Sequence, residues 1–279
     1  MINRNLITIV VGKIMQMIIL FASIRFLTHF LSEKEVGNYY LILAIVTFYN
    51  LVLLNPPGMY FSRHILEWKH SKNLYNAILP FSIYIFLVAV ISLPLNLIFI
   101  KISNLNTIFT FPLLLILFLI ITVSTLHRNM INAINNMGNR GTFVSLFLLS
   151  QLLGLIFSIA IIHMTTKKSS LFWILGVVIG EILLLPFVIK FYGRNNRISY
   201  SKIKEKINKG TIKDILNYSL PICITTLFIW GQSMGYRFYV NNLFSVEVLA
   251  YIAIGFSISS SIFNAIEILA TQYFGSQKE

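Results

Sequence analysis

Residues 75–100 read YNAILPFSIYIFLVAVISLPLNLIFI, without one acidic or basic side chain. A helix needs about 20 predominantly apolar residues to cross the hydrocarbon core of a membrane, and this run is long enough. A transmembrane β-strand is about 10 residues long and alternates apolar with polar side chains, which this run does not do. The stretch therefore predicts a membrane-spanning α-helix.

The rest of the chain has the same character. Of its 279 residues, 57% are hydrophobic and 11% are charged, whereas soluble domains carry about 25% charged residues. We predict an all-α polytopic membrane protein with about eight transmembrane helices. The predicted spans are approximately 6–31, 36–55, 75–100, 107–126, 142–163, 170–191, 214–240 and 246–274.

Basic residues are distributed unevenly between the two sides that these spans define. Of the 22 Lys and Arg residues, fifteen fall on one side, four on the other and three within spans, and eight of the fifteen lie between Lys190 and Lys213. Because loops rich in Lys and Arg stay in the cytoplasm, both termini are predicted to be cytoplasmic. The net charge of +13 then reflects topology and contacts with anionic membrane lipids. Nucleic acid is not an expected partner.

A segment near the start of the chain recurs 212 residues later. Between residues 25–42 and 237–254, seven of eighteen aligned positions are identical without a gap. An even number of predicted spans separates the two copies, so both run through the membrane in the same direction. The pattern indicates parallel halves of six helices each, an arrangement found in transporters.

The repeat divides the chain into two lobes. Residues 1–212 form a predicted six-helix lobe, and residues 213–279 supply the first two helices of a second. A second lobe as long as the first would bring the chain to about 424 residues, twice the observed offset. We therefore expect the first lobe to be complete and the second to be truncated.

Two cytoplasmic segments mix apolar side chains with Arg, Lys and His. They are Met59–Asn73 and His127–Thr142. Segments of this composition are typical of short amphipathic helices that lie in the membrane interface, which is the prediction for both.

Specific motifs resemble one known family. Leu31-Ser32-Glu33-Lys34-Glu35-Val36-Gly37-Asn38-Tyr39, after a helix that carries Arg25, resembles the LxxxExGxY loop of bacterial polysaccharide flippases. These are the exporters of O-antigen and capsule units in the multidrug/oligosaccharidyl-lipid/polysaccharide exporter superfamily. Tyr218-Ser219-Leu220-Pro221, Trp230 and Tyr236-Arg237-Phe238-Tyr239 are similar to the helix that opens their second lobe. Many relatives have an acidic residue where this chain has Tyr236, which puts a local charge pair in doubt.

The resemblance implies a function and partners. The expected activity is translocation of an undecaprenyl-diphosphate-linked oligosaccharide, an O-antigen or capsule repeat unit, across the bacterial inner membrane by alternating access. The implied partners are this lipid-linked oligosaccharide, membrane lipids, a polysaccharide polymerase and a chain-length regulator. No cofactor is implied, and the chain is not expected to be an enzyme.

Three basic residues within predicted spans are candidates for substrate binding. A charge at mid-membrane costs at least about 2.5–3.5 kcal/mol on insertion scales, so Lys13, Arg25 and Arg237 call for an explanation. A diphosphate needs fixed positive charge, and arginine binds phosphate through two parallel hydrogen bonds. The alternatives are snorkelling to the membrane surface for all three, or ion pairs of Arg25 and Arg237 with Glu35 and Glu247.

Two acidic residues within spans are candidates for ion coupling. Glu181 follows Gly176 and Gly180, whose spacing favours close helix packing, and a buried carboxylate there could carry a coupling proton. Pairing with a neighbouring basic side chain is the alternative. Glu267 lies in the incomplete second lobe.

Other activities are less consistent with these residues. A cation-coupled drug exporter of the same superfamily would prefer acidic residues in the first lobe, where this chain has Lys13 and Arg25. An integral-membrane polysaccharide polymerase or acyltransferase would be expected to have reactive side chains on a sizeable outer loop, and every predicted outer loop is short. The chain lacks a phosphate-binding Gly-rich loop with Lys-Ser/Thr, and its lone Cys223 with no Cys/His cluster predicts no metal site.

Overall fold

The computed structural model describes residues 4–70, 74–103, 105, 110–193 and 209–275. Within these ranges the chain forms eight long helices and no strand. Five are regular α-helices: α1 (Arg4–Phe30), α3 (Leu74–Ile102), α5 (Arg140–Met164), α6 (Ser170–Gly193) and α8 (Val246–Gly275). The all-α polytopic architecture is as predicted.

The other three helices each contain a π-helical turn. In α2, Glu33–Phe48 continues through the π-turn Tyr49–Leu54 into Asn55–His70. In α4, Thr110–Leu119 continues through Ile120–Ser124 into Thr125–Asn136. In α7, Lys209–Trp230 continues through Gly231–Gly235 into Tyr236–Leu243.

Seven helices in the described part of the chain are long and apolar enough to cross a membrane. These candidate spans are Val10–Phe30, Glu33–His70, Ile78–Ile102, Phe111–Asn136, Arg140–Met164, Ser170–Tyr192 and Val246–Phe263. The predicted span 214–240 is helical throughout as part of α7 but is not among these seven, so its crossing stays a prediction. The multi-pass character of the protein is confirmed.

Helix α2 is the centre of the bundle. Leu41, Ile42, Ala44 and Ile45 in its first half are fully buried, and they belong to a core shared with α3, α4, α6 and α8. The 38-residue stretch Glu33–His70 spans roughly 57 Å at 1.5 Å per residue. That is nearly twice the roughly 30 Å thickness of the hydrocarbon core, so α2 extends well beyond it.

The two segments predicted to be separate interfacial helices are continuations of spanning helices. Residues 59–70 are the second part of α2, and residues 127–136 are the end of α4, which is followed by a turn in which Gly138 has φ 86°. Several of their apolar side chains are buried in the protein, while Met59 and Leu66 are exposed. Ile65, Met130, Ile131, Ala133, Ile134 and Met137 form a second core with Val188 and Tyr192 of α6.

Glycines determine the closest helix contacts. Gly176 and Gly180 of α6 lie directly against the backbone of Ser158 and Gly154 of α5, where an added Cβ would overlap backbone atoms. The close packing predicted from the Gly176 and Gly180 spacing is confirmed. Gly37 near the start of α2 lies in the same way against the backbone of Val246 at the start of α8.

The helix boundaries follow the sequence repeat. Phe30 ends α1 and Glu33 begins α2, while Leu243 ends α7 and Val246 begins α8. A shift of 212 residues therefore brings the second pair of boundaries to within one residue of the first. A serine hydroxyl caps each following helix, because Ser32 accepts from the Glu35 N–H at 3.4 Å and Ser245 accepts from the Val248 N–H at 3.3 Å.

Candidate functional site

The candidate site is built around Arg237, where α7 packs against α2. The Arg237 side chain is 5% exposed. Its Nη1 donates to the carbonyl oxygen of Tyr40 at 2.9 Å, and its guanidinium carbon lies 5.2 Å from the Tyr40 ring centroid and 5.9 Å from that of Tyr236. Its Nε–H is buried without a partner among the described residues. Aromatic faces and one carbonyl therefore surround this cation.

The π-turn of α7 immediately precedes this arginine. A π-bulge adds the equivalent of one residue to a helix, which rotates the part beyond it by about 100° relative to the part before it. Beyond the turn, Arg237 and Phe238 face the protein and are buried, whereas Gln232 and Ser233 within it are exposed. Helix α1 has no such turn.

Polar side chains of α7 hold it to the first six helices. Trp230 donates its indole N–H to the Ala44 carbonyl at 3.0 Å, and its ring lies 5.1 Å from that of Phe48. Asn241 donates to the Ser103 carbonyl at 2.9 Å. These contacts, together with Arg237, keep one face of α7 along α2 and the end of α3.

The start of α2 is tied to α8 and α6 by carboxylates. The Tyr251 hydroxyl of α8 donates to Glu33. Glu35 accepts from the backbone N–H of Ser170 at 2.7 Å and from the Ser170 hydroxyl at 2.9 Å, at the beginning of α6. An anion is stabilised at a helix N-terminus by the unpaired N–H groups there.

In this structure Glu35 and Arg237 have hydrogen-bond partners other than those of the ion pairs that were one alternative for the two repeated arginines. Glu35 is bound by Ser170 and Asn38, not by Arg25. Arg237 is bound by Tyr40 and not by Glu247. Tyr236 occupies the position at which many members of the resembled family have an acidic residue. Its aromatic ring lies beside the Arg237 guanidinium.

The other two basic candidates lie on α1. Arg25 is exposed, and its carbonyl accepts the Thr28 hydroxyl at 3.0 Å. Lys13 is partly buried, and its Nζ donates to the Gln16 side chain at 2.9 Å. They are separated by twelve positions, which correspond to roughly 18 Å along the helix. The structure thus encloses only Arg237 of the three basic candidates in protein.

Glu181 belongs to a second polar cluster, inside the first six helices. It is 6% exposed, and Ser124 of α4 donates its hydroxyl to Oε2. The next residue of α4, Thr125, donates to the Asn50 side chain of α2 at 2.5 Å. Ser124 and Asn50 are both in π-turns. The Glu267 side chain lies outside the described residues.

The sequence gives partial signals for both clusters. Asn50, Ser124 and Thr125 are polar residues within or at the edge of predicted spans, which could have marked the Glu181 cluster. Tyr40 had no distinguishing signal, because its aromatic ring resembles many others in the chain. No group of three or more His, Cys, Asp or Glu in the described ranges could hold a metal ion.

The chain was compared with protein-family models, curated proteins and solved structures. No protein-family model, no curated protein and no solved structure matches the chain.

Proposed function

We propose that this protein is a flippase that moves an undecaprenyl-diphosphate-linked oligosaccharide, an O-antigen or capsule repeat unit, across the bacterial inner membrane by alternating access. The observation that carries the proposal is the buried Arg237 at the junction of α7 and α2, whose guanidinium has neither a partner for Nε–H nor a bound carboxylate among the described residues.

A buried guanidinium is unfavourable unless an anion or sufficient acceptors compensate it. Arg237 has one carbonyl acceptor and two aromatic faces, and cation–π contacts contribute about 0.5–2 kcal/mol each. A diphosphate would supply the missing anion and accept the hydrogen bond from Nε. This chemistry supports a phosphate-bearing lipid as substrate.

Arg25 and Lys13 are the two further basic residues that contact the diphosphate in the proposal. Both lie on α1, which is the counterpart of α7 in the sequence repeat. In the proposed mechanism Arg25, and to a lesser extent Lys13, contacts the diphosphate when the two lobes rock relative to one another. In the described part of the chain, the Lys13 Nζ donates to an amide oxygen and not to a carboxylate, and the Arg25 side chain is exposed.

The proposed setting follows from the charge distribution. With fifteen of 22 basic residues on one predicted side, both termini are proposed to lie in the cytoplasm. The proposed partners are the lipid-linked oligosaccharide, membrane lipids, a polysaccharide polymerase and a chain-length regulator. The protein is proposed to act as a transporter and not as an enzyme.

Binding of undecaprenyl diphosphate to the purified protein tests the proposal. The ring centroids of Trp230 and Phe238 are 6.1 Å apart, and Phe238 is the neighbour of Arg237. The fluorescence of Trp230 should therefore change when undecaprenyl diphosphate binds. Loss of one charged hydrogen-bonding partner removes about 1.5–3 kcal/mol, which predicts an affinity roughly 10- to 100-fold lower for Arg237→Gln.

Matched variants make the binding test specific. Arg237→Lys should retain part of the affinity through charge alone, and the exposed Arg140→Gln should bind as the wild type does. Equal affinity of Arg237→Gln and wild type, or equal affinity for an uncharged undecaprenyl alcohol, would remove the basis of the proposal.

A further inference from the structure

Glu181 is the one acidic residue that is buried among the side chains that the structure describes. It lies eleven residues into α6, directly after Gly180, where α6 packs against the backbone of α5. Its carboxyl group points to the π-turn of α4, whose Ser124 hydroxyl is its hydrogen-bond partner. The π-turn therefore brings a hydroxyl to a carboxyl group in the interior of the first six helices.

Glu35 provides a comparison within the same molecule. Its carboxylate has three donors: the Ser170 backbone N–H, the Ser170 hydroxyl and the Asn38 amide at 3.4 Å. The Glu35 carboxylate, although it belongs to α2, also lies against the N-terminus of α6, where the helix dipole favours negative charge. Three donors and a helix N-terminus therefore surround the Glu35 side chain.

The surroundings of Glu181 differ in each respect. It has one donor instead of three, and it lies in the middle of α6, away from the N-terminal N–H groups. A serine hydroxyl has one O–H and two lone pairs, so Ser124 can donate to the carboxyl group and also accept an O–H from it. A neutral carboxylic acid therefore fits this pair, whereas an ionised one would lack compensation.

Among the described residues, few charged groups lie on the stretches of α4 and α5 next to Glu181. Arg128 lies one turn beyond Ser124 on α4 and is exposed. His127 beside it is 1% exposed, and its Nε2 has no partner among the described residues. The stretch of α5 packed on Gly180, residues 150–158, has no acidic or basic side chain. Arg128 is thus the group that could stabilise the ionised form.

We propose that Glu181 and Ser124 form a proton-binding site inside the first six helices. The proton is held on a Glu181 carboxyl oxygen and hydrogen-bonded to Ser124. On release it passes to water at the exposed Arg128 side of α4, and the carboxylate that remains is stabilised by the Arg128 guanidinium. Use of this site to couple proton movement to transport rests on the proposed function, whereas proton binding does not.

Infrared difference spectroscopy of the purified protein tests the site without any transport measurement. A protonated carboxylic acid has a carbonyl-stretch band at higher frequency than the amide I band, and the band shifts in D₂O. We expect this band at neutral pH in the wild type and in Glu35→Gln, and its loss in Glu181→Gln. Raising the pH should remove the band from the wild type as well.

Two further variants test the partners. Ser124→Ala removes the hydroxyl, so the carbonyl-stretch band should persist but move to higher frequency. Arg128→Gln removes the charge that stabilises the carboxylate, so a higher pH should be needed to remove the band. Absence of the band from the wild type at neutral pH, or its persistence in Glu181→Gln, would overturn the proposal. Neither result depends on whether the protein binds undecaprenyl diphosphate.

Discussion

Arg25 and Arg237 occupy equivalent positions in the sequence repeat but have different surroundings. The sequence identifies both as unusual charges in apolar helices, and nothing in it distinguishes them. The difference arises in the structure, because α7 has a π-turn before Arg237 and α1 is a regular helix. The neighbours that surround Arg237, Tyr40 above all, come from another helix and could not be predicted from local sequence.

The surroundings of Arg237 predict an uncommon response to mutation. A buried cation that is incompletely paired can be replaced by an apolar side chain of similar size with little loss of stability. We expect Arg237→Met to change the free energy of unfolding by less than about 1 kcal/mol, while the affinity for undecaprenyl diphosphate falls roughly 10- to 100-fold, as in Arg237→Gln. Thermal unfolding in detergent measures the first effect.

Trp230 provides the structural control for that prediction. Its ring packs on Phe48 and Phe99 and its N–H is hydrogen-bonded, so Trp230→Ala should destabilise the protein by about 3–5 kcal/mol. A loss of more than about 3 kcal/mol in Arg237→Met, the magnitude expected for breaking a buried pair, would make Arg237 a structural residue.

At the scale of helices, the sequence predicts the number of elements and the start of most of them. The eight predicted spans each correspond to a helix, because long apolar runs leave no alternative for the backbone in a membrane. The extent of α2 and α4 is not predicted. Polar residues after 55 and 126 resemble the ends of spans, but they continue as helices because Ile65, Ile131 and Ile134 are buried against α6.

The π-turns could not be predicted either. A π-turn is less favourable than an α-helical turn on its own and is rare for that reason. Those in α2 and α4 are accompanied by hydrogen bonds between helices, such as that of Thr125 to Asn50. Such contacts depend on the complete bundle. Tertiary packing therefore decides where these helices depart from regular geometry.

Glycine packing between α5 and α6 gives a prediction at this scale. An added methyl group on Gly180 would overlap the backbone of Gly154, and overpacking of this kind costs about 1–3 kcal/mol. We expect Gly180→Ala to destabilise the purified protein by about 1–3 kcal/mol, which thermal unfolding measures. Gly255→Ala is the matched control, because among the described residues no atom outside the backbone of α8 itself lies within 4 Å of an added Cβ there.

The control variant Gly255→Ala should raise the thermal stability of the protein, whereas Gly180→Ala should lower it. Gly255 is an exposed helical position, where alanine is favoured over glycine by about 0.5–1 kcal/mol. Equal stability of Gly180→Ala and Gly255→Ala would show that α5 and α6 are not in close contact at Gly180.

At the scale of the whole molecule, α7 and α8 pack on the first six helices mainly through α2. Contacts run from Tyr218 and Tyr60, whose ring centroids are 5.7 Å apart, to Arg237 and Tyr40 near the start of α2. Helix α8 meets α2 at Gly37 and Glu33. In the proposed mechanism, this shared surface is where movement between the lobes would change the exposure of Arg237.

Translocation measured in proteoliposomes tests the central claim most directly. The substrate is a fluorescently labelled oligosaccharide linked to undecaprenyl diphosphate, and the readout is the fraction of label that becomes accessible to a membrane-impermeant quencher. We expect the wild-type protein to move the label well above the rate in protein-free vesicles. Arg25→Ala and Arg237→Gln should each lower that rate roughly 10- to 100-fold, Arg25→Lys should retain part of it, and Arg140→Gln should match the wild type. A wild-type rate equal to that of empty vesicles, or unchanged rates in Arg25→Ala and Arg237→Gln, would contradict the account.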